Sequence, residues 1–343
     1  MSTSSAAIAD VELTVHPRDC WSSSAWRRWT TSAAASWLVG IRSSGIRRSG
    51  SDTTCEVTVR GVAAIERQRG RRSTRNGMLR VARVRGAGTT NIGHVRDRNE
   101  DVILVDPELG LYAVFDGLGG RSAGDVAAKL ASEVVAGHVR DQARIRRRSP
   151  RRRSPGQLLE YALHDASTDV IIAGETKEQC RGMRTTAVAC LVVDSTRVVV
   201  AHAGDSRAYL LRDGELTALT RDHTVAQELV DAGQLSPRSV RRSPKRHRLT
   251  RALGRTRVAL RVDVREQPLR PGDRLLLCSD GLHGYTPARS IRRVLAGDGT
   301  PEQIAHELVA LALAGKAPDN VSAVVICVSG DEARALRGRP ARR

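Results

Sequence analysis

The sequence predicts an α+β fold in which two antiparallel β-sheets pack face to face between outer pairs of helices, a four-layer α/β/β/α sandwich. Two observations lead to this fold class. Residues 183–220 read as consecutive short strands joined by tight turns, one of them Asp213-Gly214, a strong β-hairpin signal. Amphipathic helical patterns occur both before this run, at 123–139, and after it, at 301–314.

Each strand is predicted from a short apolar run that is bounded by turn residues. The predicted strands, the first of them a strand and turn, are 80–93, 102–105, 111–115, 185–193, 197–203, 208–211, 215–219, 258–264, 273–278 and 321–328. Each helix is predicted from apolar residues spaced three or four apart. The predicted helices are 123–139, 157–172, 225–232, 287–295 and 301–314, the last two with Pro near the first turn.

We expect one folded domain over residues 78–330. Residues 1–77 are rich in Ser, Ala and Arg without a sustained period, and predict a low-complexity extension that is either disordered or upstream of a natural start at Met78. Within the domain, a basic insertion at 140–156 and a flap at 233–257 are predicted to be solvated. Residues 331–343 form a basic tail.

Charge and composition limit the classes of partner. The formal net charge is +19, but the Arg residues crowd into loops and tails, whereas the segments that carry the acidic motifs are mixed or acidic. Aromatic residues make up only 3% of the chain, which leaves little material for stacking on bases, so nucleic acid is not an expected partner. The scattered cysteines, and the lack of a leader or a bilayer-spanning apolar stretch, predict a cytoplasmic protein without membrane contact.

Acidic residues recur at the edges of the apolar strands. Asp116 and Asp280 each follow a strand, Asp319 precedes one, and Glu100 and Asp101 precede another. Strand ends that meet at one rim would bring these carboxylates together, and such a cluster is unstable unless cations neutralise it. A ligand set made only of oxygen favours Mg²⁺ or Mn²⁺, and two such ions can share and activate a bridging water.

Seven segments, in order and at approximate spacing, resemble the PPM family, the metal-dependent type 2C serine/threonine protein phosphatases, in its bacterial form. The resemblance covers about residues 80–328. The segments are GHVRDRNED, FDGLGGRSAGDVAA, GMRTTAV, AHAGDSRAYLLRDGEL, LTRDH, LLCSDGL and DNVSAVV.

The resemblance implies two Mn²⁺ or Mg²⁺ ions and assigns their ligands. Asp116 resembles the residue that bridges both metals, and Gly117 is expected to contribute its backbone carbonyl. Asp280 and Asp319 resemble ligands of the first metal. Glu100 is similar to the residue that holds the second metal, partly through water.

Further roles follow from the same resemblance. Asp101 is similar to a carboxylate that orients the site without binding metal, and Asn320 follows Asp319 as the family pattern expects. Arg96 matches the arginine that grips the substrate phosphate, and with Asp116 it is the expected catalytic residue. Asp205 and Arg207 are expected to form a turn and an ion pair behind the site.

The implied activity is hydrolysis of phosphoserine and phosphothreonine in proteins, by in-line attack of a metal-bridging water, which reverses the action of protein kinases. A monomer is expected. An alternative is a catalytically weak PPM-fold regulator that binds phosphoproteins, and a third possibility is a basic nucleic-acid binder that does not need Asp280.

Three positions depart from the family pattern. Leu118 stands where eukaryotic members often have a His that is proposed as general acid. Arg184 stands where the family usually has Gly, and it adds bulk and charge where the backbone normally needs a glycine. Gln179, beside Glu178, is the nearest match to an Asp that supports a third metal, which puts that metal in doubt.

Overall fold

The computed structural model describes residues 56–63, 83–119, 123–145, 149, 152–194, 196–255 and 259–329. The strands are β1 Glu56–Ala63, β2 Arg83–Asn91, β3 Asp101–Asp106, β4 Leu111–Leu118, β5 Arg184–Thr185, β6 Ala187–Asp194, β7 Arg197–Ala203, β8 Arg207–Arg212, β9 Glu215–Ala218, β10 Asp263–Pro268, β11 Arg274–Cys278 and β12 Val321–Ser329. The helices are α1 Gly124–Arg144, α2 Pro155–Thr176, α3 Val225–Asp231, α4 Asp280–His283, α5 Ala288–Leu295 and α6 Pro301–Ala314.

The strands form two antiparallel sheets, and the predicted four-layer sandwich is confirmed. One sheet has the order β1-β2-β12-β11-β8-β9, and the other has the order β10-β7-β6-β4-β3, with β5 paired to the end of β4. Three apolar layers hold the sandwich together: one between α1, α2 and the second sheet, one between the sheets, and one between the first sheet and α5 and α6.

Strand β4 shows how the alternation of side chains builds these layers. Tyr112 and Val114 point into the layer between the sheets, whereas Leu111, Ala113 and Phe115 point toward α1 and α2. All five side chains are fully buried. The strand is therefore fixed on both faces, and the residues that follow it are held at a defined place on the rim.

The helix boundaries differ from the prediction around the basic insertion. Helix α1 continues through Arg144, and α2 begins at Pro155, where Ser154 and Gln157 form a reciprocal capping box. Part of the segment predicted as solvated, 140–156, is therefore helical. The last turn of α1 is polar and has no apolar period, so the sequence pattern could not predict that the helix continues through it.

Strand β10 lies further along the chain than predicted. Leu260 and Val262 are packed against the layer beneath α1 and α2 without entering the sheet. The residues that pair with β7 are Asp263–Pro268, most of which are exposed. The apolar alternation thus predicted which residues pack against the core. The strand that forms hydrogen bonds at the sheet edge begins directly after them.

Two elements were not predicted. Strand β1 lies inside the segment 1–77, for which no regular structure was expected, and pairs along its full length with β2. Helix α4 spans only Asp280–His283, too short to show a helical period. Among the described helices, none combines the length and the apolarity that crossing a bilayer requires.

Candidate metal centre and active site

The predicted carboxylates meet at one end of the sandwich. Asp101 at the start of β3 lies directly opposite Asp116 near the end of β4, in the second sheet. From the first sheet, Asp280 follows β11 and Asp319 precedes β12. Burial raises the pKa of Asp116 well above its usual range, and the charges of Asp101, Asp280 and Asp319 raise it further. The structure therefore brings the four carboxylates close enough to repel one another.

The backbone around Asp116 and Gly117 is held tightly. The carbonyl oxygen of Asp116 accepts hydrogen bonds from the Thr186 amide at 2.9 Å and from the Thr185 hydroxyl at 3.0 Å. The Gly117 amide donates to the Glu100 carbonyl at 3.1 Å. A Cβ on Gly117 would lie 2.3 Å from the Gly124 carbonyl oxygen and 2.5 Å from that of Glu100. Only glycine fits this approach.

Glu100 is positioned by Asn320. The Glu100 amide donates to Asn320 Oδ1 at 2.8 Å, and Asn320 Nδ2 donates to the carbonyls of Ile92 and Arg98 at 2.8 and 2.9 Å. Asn320 therefore fastens the loop before β3 to the start of β12. Burial and the nearby charge of Asp125 raise the pKa of Glu100. The position of Glu100 relative to the other acidic residues thus depends on Asn320, which the sequence analysis placed beside the site.

Asp101 lies behind the other carboxylates, and its Oδ2 accepts hydrogen bonds from the hydroxyls of Ser279 at 2.7 Å and Ser322 at 2.6 Å. Burial raises the pKa of Asp101 to about 7, although both hydroxyls act to lower it. The sequence analysis missed these serines. Ser279 directly precedes Asp280, and Ser322 lies two residues after Asn320. This closeness to predicted site residues was the only sequence signal for them.

Arg96 points toward the carboxylates from an exposed position. Its Nη2 donates to Asp319 Oδ2 at 2.8 Å, and 54% of the arginine side chain remains accessible to solvent. The Asp319 hydrogen bond and charge raise the pKa of Arg96, and the charges of Glu100 and Asp116 add to this. The guanidinium is therefore drawn to the cluster while part of it stays open to a ligand.

His247, which the sequence analysis also missed, reaches the site from the flap. Its Nδ1 lies 3.2 Å from Asp280 Oδ2, and its Nε2 accepts a hydrogen bond of 2.7 Å from Arg246 Nε. Because Nε2 is an acceptor, Nδ1 carries the proton and donates it to Asp280. Burial acts to raise the pKa of Asp280, but the bond from His247 and the charge of His283 lower it on balance. No local pattern marks His247, since the contact exists only when the flap folds onto the site.

The predicted ion pair behind the site has a different acidic partner. Arg207 binds Asp222, not Asp205, through two hydrogen bonds of 2.7 Å each. Asp205 does lie in the predicted turn, where its backbone carbonyl accepts a 2.9 Å hydrogen bond from His283 Nε2. Its carboxyl group is buried, and burial together with the charges of Asp280 and Asp222 raises its pKa well above the usual range. Arg207 is thus matched to the acid that it can reach in bidentate geometry.

The backbone at Arg184 accommodates the bulk of the arginine side chain. Arg184 pairs with Leu118 between β5 and β4, and its side chain is exposed. Among the described residues, the only non-glycine residues with positive φ are Asp213 and Lys316. An arginine therefore fits this position because the backbone is extended. Gln179 lies exposed in a 3-10 helix, Glu178–Cys180.

A second group of possible ligands has another explanation. Ligand atoms of His202, His223 and Asp263 lie within 4.8 Å of one another. His223 Nδ1 accepts the Gly204 amide at 3.1 Å, so its Nε2 carries a proton toward Asp263. His202 Nε2 donates to the Arg221 carbonyl at 2.9 Å, and the two imidazoles stack 4.5 Å apart. These nitrogens already hold protons for oxygen acceptors, so we interpret the group as a hydrogen-bonded cluster.

The acidic residues at the rim fit hard divalent cations. The donors are carboxylate and carbonyl oxygens, the ligands that Mg²⁺ and Mn²⁺ prefer. Burial and the neighbouring carboxylates raise the pKa of Asp116, and a bound cation would favour its charged form. A Cβ on Gly124 would lie 2.5 Å from Glu100 Oε2, so this glycine leaves room for the Glu100 carboxylate.

Comparison with known proteins agrees with this geometry. The family model described as Protein phosphatase 2C matches residues 89–321. The chain is 38% identical over 253 residues to the serine/threonine protein phosphatase PstP of Mycobacterium tuberculosis; the match covers 72% of this chain but 46% of that protein, so the chain spans about half of that relative's length. It is 30% identical over 240 residues to the serine/threonine phosphatase stp of Listeria monocytogenes serotype 4b, covering 69% and 93% of the two chains.

A solved structure extends the comparison to three dimensions. The catalytic domain of PstP in complex with two manganese ions superposes with a TM-score of 0.63 at 34% identity, covering 73% of this chain and 99% of that one. Residues 89–321, which the family model matches, include Asp101, Asp116, Asp280 and Asp319 of the acidic rim. The chain belongs to the protein phosphatase 2C family.

Proposed function

We propose that this chain is a metal-dependent serine/threonine protein phosphatase that hydrolyses phosphoserine and phosphothreonine in substrates of protein kinases. The observation that carries the proposal is the convergence of the acidic residues with Arg96 at one end of the sandwich. Relatives that are named as serine/threonine phosphatases support it. The alternative of a catalytically weak regulator is not favoured, because the sequence retains every acidic residue proposed for the two-metal site.

In this proposal Asp280 and Asp319 would hold one Mn²⁺ or Mg²⁺ ion, and Glu100 and the Gly117 carbonyl would hold a second. Asp116 would contribute to both. When bound, the ions polarise the phosphate and lower the pKa of a bound water. The chain's own contribution is to fix these donors before substrate arrives.

The remaining residues orient the donors and the substrate. Asn320 holds the backbone of Glu100, and Asp101, gripped by two serines, stands behind Asp116. Arg96 binds the phosphate in a bidentate manner and loses its bond to Asp319 in doing so. Leu118 has no acidic proton, so the leaving hydroxyl takes its proton from solvent. Gln179 lacks a carboxylate, and we propose no third metal.

We further propose that the protein works as a monomer in the cytoplasm on phosphorylated protein substrates. The four cysteines within the described residues, Cys180, Cys190, Cys278 and Cys327, are all free thiols, which supports a reducing compartment.

The decisive experiment is hydrolysis of a phosphothreonine peptide with Mn²⁺, with Mn²⁺ plus a chelator, and by the Asp280→Asn variant. We expect turnover that needs the metal and collapses in the variant. A matched control is Asp298→Asn, which changes an exposed aspartate between α5 and α6. No turnover by folded protein that binds Mn²⁺ would contradict the proposal.

A further inference from the structure

The flap carries positive charge that the rest of the described protein does not balance. No Asp or Glu occurs between Asp231 and Asp263 in the sequence. Arg251, at the base of the flap, pairs with Asp263 at 2.7 Å. Among the described residues, no carboxylate lies within ion-pair distance of the other basic side chains along the flap: Arg238, Arg241, Arg242, Lys245, Arg246 and Arg248.

This charge is held next to the proposed metal centre. Arg241 Nη2 donates to the Gly284 carbonyl at 3.0 Å, just after α4. The guanidinium of Arg246 lies 5.9 Å from the centre of the Tyr285 ring. His247 donates to Asp280 itself. The flap is therefore docked on the segment that begins with a proposed metal ligand.

The base of the flap is fixed to the protein by backbone hydrogen bonds. The Val225 amide donates to the Arg248 carbonyl at 2.9 Å, and the Thr250 amide donates to the His223 carbonyl at 2.8 Å. The exposed cations between these anchors, among them Arg242 and Lys245, are thus presented from a defined platform.

A cavity of ≈ 180 Å³ separates the flap from α4 and α5. The flap lines it with Arg241, Arg246 and His247, but the opposite wall carries the carboxylates of Asp205, Asp222 and Asp280. The cavity is therefore unsuited to an acidic ligand. The basic surface beside the proposed metal centre is the solvent-exposed side of the flap.

We propose that the exposed side of the flap forms a docking surface for acidic residues that flank the phosphorylated serine or threonine of the substrate. These acidic residues face Arg242 and Lys245, which are exposed and have no carboxylate partner among the described residues. The inference rests on the proposed phosphatase function. A protein segment fits better than nucleic acid because residues 233–257 contain no Phe, Tyr or Trp for stacking on bases.

The test compares two phosphothreonine peptides that differ only in flanking Glu or Gln residues. We expect wild-type protein to hydrolyse the acidic peptide with roughly three- to tenfold higher kcat/KM at low salt, and this preference to shrink as salt screens the charges. The ratio between the peptides should fall toward one in Arg242→Gln/Lys245→Gln, whose side chains make no hydrogen bond within the described structure.

The matched control is Arg144→Gln/Arg293→Gln, which removes the same charge from exposed positions on α1 and α5 and should keep the wild-type ratio. Equal kcat/KM of wild-type protein for both peptides, or an unchanged ratio in the flap variant, would overturn the docking surface.

Failure of the proposed phosphatase function gives a different result, namely no Mn²⁺-dependent turnover of either peptide or of p-nitrophenyl phosphate. Binding of the two peptides, measured by fluorescence anisotropy, then tests the docking surface by itself with the same expected ratios. A single-stranded oligonucleotide that binds wild-type protein more tightly than the acidic peptide, and loses this affinity in the flap variant, would assign the surface to nucleic acid instead.

Discussion

The guanidinium of Arg96 and the carboxylate of Asp319 form a 2.8 Å hydrogen-bonded ion pair across the mouth of the acidic rim. One partner is proposed to bind the substrate phosphate and the other a metal ion. Each is therefore held in place by the other when substrate and metal are absent. More than half of the Arg96 side chain is exposed, so its ion pair with Asp319 is weak and can break when Arg96 binds the phosphate.

Replacing Arg96 with Ala should lower kcat/KM for a phosphothreonine peptide by roughly ten- to a hundredfold, because a hydrogen bond to a charged group contributes about 1.5–3 kcal/mol. Arg96→Lys should recover only part of this, since an ammonium cannot bind phosphate in the bidentate way. Arg98→Ala, an exposed arginine in the same loop, is the control and should act like wild type. Equal kinetics of the Arg96 and Arg98 variants would remove Arg96 from phosphate binding.

Gly117→Ala should lower the free energy of unfolding by about 1–3 kcal/mol and weaken Mn²⁺ binding, because the new Cβ would collide with two carbonyl groups. Gly137→Ala on α1 is the matched control. Its Cβ meets nothing within 4 Å, and replacing a helical glycine should increase stability by roughly 0.5–1 kcal/mol. Urea unfolding and calorimetric Mn²⁺ titration measure both quantities. A Gly117 variant with unchanged stability and affinity would show that the close backbone approach has no role.

The sequence could place Asp116, Asp280 and Asp319 because each adjoins an apolar strand whose end is easy to locate. Because β4 is packed on both faces, the position of its end, and therefore of Asp116, is fixed. The acidic rim was therefore predictable from local patterns together with the family resemblance.

Contacts between distant segments could not be predicted in this way. Asp101 is bound by serines 178 and 221 residues away, and His247 reaches Asp280 only through the docked flap. Asp205 and Asp222 were equally plausible partners of Arg207 in the sequence, and only the fold decides between them. Strand β10 shows a similar limit, because burial and strand pairing involve adjacent but different residues.

Asp222→Asn should destabilise the protein by about 3–5 kcal/mol, because it leaves the guanidinium of Arg207 without its partner at a largely buried place. The control is Asp141→Asn, which breaks the exposed pair with Arg144 on α1 and should cost no more than about 1 kcal/mol. The double variant Arg207→Met/Asp222→Asn should regain part of the lost stability. Denaturant unfolding of all three variants checks the order. A loss for Asp222→Asn that is no larger than that for Asp141→Asn would contradict a structural role for the pair.

The buried His223 should make the protein sensitive to acid. Burial, together with the charge of the stacked His202, lowers the pKa of His223 to about 4. Between that value and the ordinary histidine pKa near 6.5, the unfolded chain binds a proton that the folded protein does not. The contribution of His223 to stability, on the order of 3 kcal/mol, should therefore be lost as pH decreases from about 6.5 to 4. The raised pKa values of Asp101, Asp116 and Asp205 act in the opposite direction, so the contribution is read from the difference between wild-type protein and a His223 variant.

Replacing His223 with Gln should flatten this part of the stability curve, although it lowers stability at pH 7 through loss of the bonds to Gly204 and Asp263. The measurement is the free energy of unfolding at several pH values between 4 and 7.5, in chelator so that metal binding does not contribute. His94→Gln, at an exposed position, should keep the wild-type slope. If the His223 variant also keeps that slope, the acid sensitivity arises elsewhere, with the buried His202 and His283 as the next groups to test, since burial lowers the pKa of each.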